Sequence, residues 1–241
     1  MRYAIFSDIH SNLEAFEKTI EFYKKEKIDR FVFLGDIVSY GANPKEVVAL
    51  LKDINPAVIA GNHDWAVIDK LAIENFNEYA EKAIFWTKKV ITEKEIKYIN
   101  TFPLTHEEDN FFCVHGSLNA PEDFNYITGI NEARTSFLLL KKQILFVGHS
   151  HKAQIYYANS EGIFFHPQSE VTIKENEKYI INVGSIGQPR DRDRRLSLCI
   201  YDSDEKLARI VRLDYNITKA SEKIIEAGLP AMLSSRLFIG L

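Results

Sequence analysis

Short apolar runs recur along the first 150 positions, each followed by a block of Asp, Asn, Gly or His. They are Tyr3-Ala4-Ile5-Phe6, Phe31-Val32-Phe33-Leu34, Ala57-Val58-Ile59-Ala60, Phe111-Phe112-Cys113-Val114 and Ile144-Leu145-Phe146-Val147. Runs of this length read as strands. Between the early ones lie helical patterns. Asn12 can cap a helix that puts Leu13, Phe16, Ile20 and Phe22 on one side, and Pro44 suits the first turn of another carrying Val47, Val48, Leu50 and Leu51. This alternation predicts an α/β sheet.

Residues 65–101 read as a longer, mostly helical insertion that could wall one side of a site. Its candidate buried positions are Trp65, Ile68, Leu71, Ile73, Phe76, Tyr79, Ile84, Phe85, Trp86 and Ile91. From 154 to 213 the pattern changes to short strands separated by turn signals, which predicts a β-meander with a hairpin turn at Asp202-Ser203-Asp204-Glu205. A last helix is expected over 217–228, ending at Gly228 and Pro230.

Composition narrows the class. A chain of 241 residues, 46% hydrophobic and 27% charged, is expected to fold as one domain, 1–241, around a large core. A net charge of -4 gives no general attraction to nucleic acid or anionic lipid, so a phosphate-bearing substrate must be drawn by local positive charge. No apolar stretch approaches the roughly 20 residues that span a bilayer, and the N-terminus enters a strand without a signal-peptide pattern. A cytoplasmic protein without membrane partners is expected. Cys113 and Cys199 lie in apolar runs, where a free thiol behaves as a small hydrophobe.

The polar blocks carry the chemistry. Five of the seven histidines fall in Asp8-Ile9-His10, Gly61-Asn62-His63-Asp64, His115-Gly116 and Gly148-His149-Ser150-His151, with Gly35-Asp36 between the first two. Loops beyond strand ends converge in open α/β sheets, so the blocks would meet at one edge. Asp8, His10, Asp36, Asn62, His115, His149 and His151 are candidate metal ligands. Seven are too many for one ion and suit two that share a carboxylate. Mixed histidine and carboxylate donors favour Mn, Fe, Ni or Zn over Ca or Mg.

In this order the blocks resemble the calcineurin-like metallophosphoesterase superfamily. Asn182-Val183-Gly184-Ser185-Ile186-Gly187-Gln188-Pro189-Arg190 resembles a later signature of its small prokaryotic branch of phosphodiesterases and diadenosine-tetraphosphatase-like proteins. The resemblance implies a four-layer αββα sandwich of two mixed sheets flanked by helices. It implies that Asp8, His10, Asp36 and His151 hold one metal ion and that Asp36, Asn62, His115 and His149 hold the other. A bridging hydroxide would then attack the phosphate ester. His63 resembles the superfamily's catalytic, non-ligand histidine, and Asp64 beside it is a candidate to orient it.

The family's protein phosphatases carry an Asp-Arg pair where this chain has Ser39 and Tyr40. That argues against a phosphoprotein phosphatase and leaves Tyr40 as a hydrogen-bond donor to substrate. Ser11 stands where related sequences usually have Gly. Asn12 keeps the usual type and, with Tyr40, Gly184, Ser185 and Arg190, completes the candidate substrate-binding set. Tyr126 reads first as core packing. His106 and His166 read as ordinary packed or surface residues.

The expected activity is hydrolysis of phosphodiesters or nucleotide anhydrides. The alternatives are a phosphomonoesterase and a non-catalytic scaffold on the same fold. The substrate would be a small phosphate ester or nucleotide, since the acidic balance argues against extended nucleic acid. A homo-oligomer formed through the insertion or the C-terminal segment is compatible with the sequence, but nothing in it demands one.

Overall fold

The computed structural model describes residues 1–74 and 76–241. The first half runs β1 (Arg2–Phe6), α1 (Leu13–Tyr23), β2 (Arg30–Phe33), α2 (Pro44–Ile54), β3 (Ala57–Val58), α3 (Asn62–Val67), α4 (Glu78–Val90) and α5 (Glu93–Ile99). Then come β4 (Thr105–Glu107), β5 (Phe111–Val114), α6 (Ile130–Leu139), β6 (Ile144–Val147), β7 (Ala153–Asn159), β8 (Gly162–His166) and β9 (Glu170–Thr172). The chain ends with β10 (Lys178–Val183), β11 (Leu196–Asp202), β12 (Leu207–Leu213), α7 (Ile217–Glu226) and α8 (Ala231–Ser235).

The strands form two six-stranded mixed sheets among the described residues, ordered β3-β2-β1-β11-β12-β9 and β4-β5-β6-β10-β7-β8. Side chains alternate along each strand, so every strand serves two cores. Tyr3, Ile5, Val32 and Leu34 face Phe111, Phe146, Tyr179 and Ile181 in the interior between the sheets. Ala4, Phe6 and Phe33 point the other way, under Phe16 of α1 and Val47 and Leu51 of α2. On the second sheet's outer face, α6 sets Ala133 and Phe137 on Leu145 and Ile180. The result is the αββα sandwich.

Local chemistry explains the element starts. The Asn12 side chain accepts the Ala15 N–H (3.1 Å), which satisfies a donor that the first turn of α1 would otherwise leave free. Pro44 opens α2, and Asn55 closes it in the left-handed region. Thr92 and Glu95 form a reciprocal capping box at the start of α5.

Residues 154–213 are strands but not one meander. β9, β11 and β12 belong to the first sheet, while β7, β8 and β10 belong to the second, where β10 lies parallel to β6. Alternation marks a strand but does not choose its partner, and here the chain crosses between the sheets three times. The β11–β12 hairpin turns through 202–205 as expected, and α7 ends two residues before the predicted helix end. Polar composition hid the three-residue strands β4 and β9. In the insertion, Ala80, Ala83 and Ile84 of α4 are buried, whereas Tyr79 and Phe85, candidates for burial, are exposed. No helix among the described residues is long and apolar enough to cross a membrane.

Candidate metal centre

Loops that leave the carboxyl ends of β1, β2, β5 and β6, with the start of α3, meet at one edge of the sandwich. Backbone bonds lock them together. Asp8 N–H donates to the Gly35 carbonyl (2.9 Å), His10 N–H to Asp36 (3.0 Å) and Gly148 N–H to His115 (3.0 Å). Asp8, His10, Ser11, Asp36, Ser39, Tyr40, His149 and His151 all adopt positive φ, between 47° and 76°. Such conformations cost about 1–3 kcal/mol each for residues other than glycine, and they persist where surrounding structure over-determines them. Gly61 is required for a different reason. A Cβ there would lie 2.0 Å from Asp36 Oδ1.

The seven candidate ligands converge. Asp8 Oδ2 accepts the His149 N–H (3.0 Å) and Asp36 Oδ1 the His63 N–H (2.8 Å), so each carboxylate has one oxygen tied to backbone. Their other oxygens, Asp8 Oδ1 and Asp36 Oδ2, are buried without hydrogen-bond partners among the described residues, as are Asn62 Oδ1, His115 Nε2 and His149 Nε2. His10 Nδ1 faces the Val38 carbonyl (3.0 Å), His115 Nδ1 that of Leu34 (2.7 Å) and His151 Nδ1 that of Gln188 (2.5 Å). A carbonyl only accepts, so these Nδ1 atoms carry a proton, and in the neutral ring Nε2 is the nitrogen left to bind a metal ion.

His10 Nε2 and His151 Nε2 then confront each other at 3.0 Å. Two ring nitrogens at that distance, beside carboxylate oxygens in a dry site, need a proton or a metal ion between them. Unpartnered buried polar atoms otherwise cost about 1–3 kcal/mol each. Three overlapping groups, Asp8/His10/His151, His10/Asp36/His63 and Asp36/His115/His149, each keep their ligand atoms within 4.8 Å of one another. The donor set fits divalent ions.

Charges follow the same logic. Burial works to raise Asp8, but His151, His10 and His115 outweigh it and hold its carboxyl well below the usual range. Asp36 is likewise lowered, with His115 and His63 opposing burial. Burial lowers His149 to about 3, helped by the charge of His115, and lowers His151 to about 4. At His115 burial is overcome by Asp36 and Asp8, which lift it to about 9. Positive charge is favoured next to Asp36.

A cavity of about 280 Å³ opens beside these ligands. His63, 4% exposed, stands in its wall with Tyr40 (4.6 Å between ring centroids), His10 (4.9 Å) and Phe76 (5.0 Å) around its ring. Burial holds His63 well below its ordinary pKa, against the pull of Asp36. Asp64 does not reach toward that ring. Its carboxylate accepts the N–H groups of Asp36 (2.8 Å), Ile37 (2.9 Å) and Gly61 (3.0 Å), clamping the β2 loop to the start of α3. Burial and the Asp36 charge raise it to about 7.

The candidate substrate residues divide. Tyr40 and Arg190 line the cavity, with the Arg190 guanidinium 5.4 Å from the Tyr40 ring centroid. Asn12, Gly184 and Ser185 lie behind the ligands instead. Asn12 donates to the Gly187 carbonyl (2.8 Å), Gly184 N–H to Asn182 Oδ1 (3.0 Å) and Ser185 Oγ to the Asp8 carbonyl (2.8 Å). They hold the Asp8 loop.

One residue of the cavity wall departs from the core role expected of it first. Tyr126 is half exposed rather than core, and it stacks on His149 with ring centroids 3.8 Å apart. Outside the cavity lining, Arg236 of the C-terminal segment lies close enough to Arg190 that burial and that charge lower its pKa. Nothing local in the sequence connects Arg236 to the ligand blocks.

A sequence model described as calcineurin-like phosphoesterase matches residues 1–181. The uncharacterized protein MJ0912 of Methanocaldococcus jannaschii is 40% identical over 98% of this chain and 97% of its own length. Phosphodiesterase YfcE of Escherichia coli K12 is 27% identical over 69% of this chain and 76% of its own. Among solved structures, a metallophosphoesterase from Sphaerobacter thermophilus superposes with a TM-score of 0.86 at 32% identity, covering 100% of this chain and 99% of that one.

Proposed function

We propose, for a chain that belongs to the calcineurin-like phosphoesterase family, that it hydrolyses phosphodiesters or nucleotide anhydrides at a centre of two divalent metal ions. Metal-dependent phosphoester hydrolysis is the family's chemistry. The two-ion reading rests on one observation above all. Asp36 Oδ2, unpartnered among the described residues, lies 3.7 Å from His10 Nε2 on one side and 3.3 Å from His115 Nε2 on the other. Asp8, His10, Asp36 and His151 would hold one ion, and Asp36, Asn62, His115 and His149 the other, with Asp36 Oδ2 shared. Mn, Fe, Ni or Zn suits these donors.

Bound ions would polarise the phosphoryl oxygen and lower the pKa of the attacking water toward about 7. The protein's own groups do the rest. Arg190, whose Nε is buried without a partner among the described residues, binds a phosphoryl oxygen. As the water oxygen bonds to phosphorus it sheds its proton to solvent, and as the bond to the leaving oxygen breaks, His63, protonated once an anionic phosphate sits beside it, gives that oxygen a proton. Tyr40 lies against the His63 ring where it can donate to the same phosphate. Asp64 acts on position alone, through the backbone it clamps.

The diester preference is supported by the relative named phosphodiesterase YfcE and by a single unpaired guanidinium lining the cavity among the described residues. A single domain, 1–241, with a helical insertion at about 65–101 belongs to the same proposal. So does a cytoplasmic location, which the free, buried thiols of Cys113 and Cys199 fit. The test uses metal-stripped protein with bis-p-nitrophenyl phosphate. Turnover should return with Mn or Ni. A higher kcat/KM on p-nitrophenyl phosphate would make it a phosphomonoesterase instead, and metal uptake without turnover on either ester would favour a scaffold.

A further inference from the structure

Tyr126 leaves 51% of its surface in solvent while its ring lies nearly parallel to the His149 imidazole, with 17° between the planes. One face of the ring is thus occupied. Tyr126 also lines the cavity wall, with Tyr40, Phe76 and Phe124. Phe124 is buried, edge-on to Trp65 (5.4 Å) and to His115 (5.9 Å). A half-wetted aromatic ring costs hydrophobic free energy in the free protein, and that cost is recovered when a flat partner covers it.

The segment that carries this ring is fixed. A Cβ on Gly116, directly after the ligand His115, would lie 2.6 Å from the Asn125 carbonyl oxygen, so the two backbones touch. Tyr126 therefore keeps its place relative to the ligands without help from substrate. Across the cavity, Arg190 is bonded to Gln188 Oε1 (2.7 Å) rather than to a carboxylate, which leaves its charge free for an anion. The cavity, about 280 Å³ and open to solvent, has room for a phosphate and a flat ring.

Building on the phosphoesterase reading, we infer that Tyr126 is a specificity-determining residue whose free face stacks on a planar aromatic substituent of the substrate. Esters carrying such a ring are selected over aliphatic esters such as glycerol or methyl phosphates. Stacking of a flat ring on an aromatic side chain is worth about 1–3 kcal/mol by truncation, roughly fivefold to a hundredfold in affinity. The ring of Tyr126 also braces His149, so the test must separate the two roles.

The experiment reads binding rather than turnover, so that its failure is distinct from failure of the hydrolase reading. Calorimetric titration of the zinc-loaded protein with phenyl phosphate and with methyl phosphate should give a phenyl preference of about tenfold. Tyr126→Phe should keep that ratio and Tyr126→Leu should reduce it to about twofold. Independently of any variant, proton NMR of phenyl phosphate bound to the wild-type protein should show its ring protons shifted upfield by the stacked tyrosine. Equal affinities for the two phosphates, an unshifted phenyl ring, or a Leu variant that weakens both ligands by the same factor would overturn the inference, the last leaving Tyr126 only a brace for His149.

Discussion

At the strand ends, five of the seven candidate ligands are held from behind by main chain. Asp8 and Asp36 each lose one oxygen to a backbone N–H, and three histidines lose Nδ1 to a carbonyl. Across the cavity the arrangement is different, for Tyr40, Phe76 and Tyr126 touch the site through ring faces and edges, with no side-chain hydrogen bond to hold them among the described residues. The first region over-determines positions to a fraction of an ångström and tolerates strained backbone to do so. The second offers surface that a substrate completes. Changes at the strand ends should therefore damage all substrates alike, while changes on the wall should discriminate among them.

The largest effect is expected for Asp36→Asn, which removes the carboxylate proposed to be shared by the two ions. Turnover should fall by about 10³-fold or more on every ester, the loss of several kcal/mol of metal assistance at 1.36 kcal/mol per decade. His63→Gln should lower kcat by about 10²-fold or more while metal content stays near that of the unsubstituted protein. Lost metal would instead make His63 a ligand, which its place beside His10 and Asp36 permits geometrically.

On the wall, Arg190→Gln should reduce kcat/KM by about tenfold to a hundredfold, the scale of one charge-assisted hydrogen bond, and should leave bound metal intact. If metal leaves with the guanidinium, the division between ligand edge and wall is wrong at that point. The Arg190 N–H bond to the His151 carbonyl (3.0 Å) is main-chain and survives the substitution.

Two smaller effects concern stability. Asp64→Asn replaces a carboxylate that accepts three N–H groups, one of them now facing an amide donor, so thermal unfolding should occur about 4–10 °C lower. The smallest change is expected at Ser11. Its φ is 55° and its hydroxyl is buried without a partner among the described residues, so Ser11→Gly should relieve strain and raise the unfolding temperature by about 2–4 °C. A lower unfolding temperature would mean that the hydroxyl is satisfied by a group it meets only in solution.

The same contrast explains what could be read from the sequence. Ligand blocks were legible because metal donors are few in kind and each follows a strand, so the β1, β2, β5 and β6 loops deliver Asp8, Asp36, His115 and His149 together. Asn12 carried two signals, a motif type and a helix cap, and in the structure its side chain serves the cap. Gly184 and Ser185 read as substrate-binding because small residues suit both close contact with a ligand and a tight approach within the chain. Here the approach is to the back of the Asp8 loop. Tyr126 was misread because an aromatic residue in a loop carries the same letter whether it fills a core or faces a cavity. Strand partners in 154–213 were illegible because both sheets offer apolar faces of the same period.

Elemental analysis of metal content in the reconstituted wild-type protein and in Asp36→Asn tests the central claim most directly. Two divalent ions per chain are predicted for the wild type, with at most one retained once the shared carboxylate is gone. A single ion in the wild type, or two that survive the Asp36 substitution, would contradict a dinuclear centre bridged at that residue.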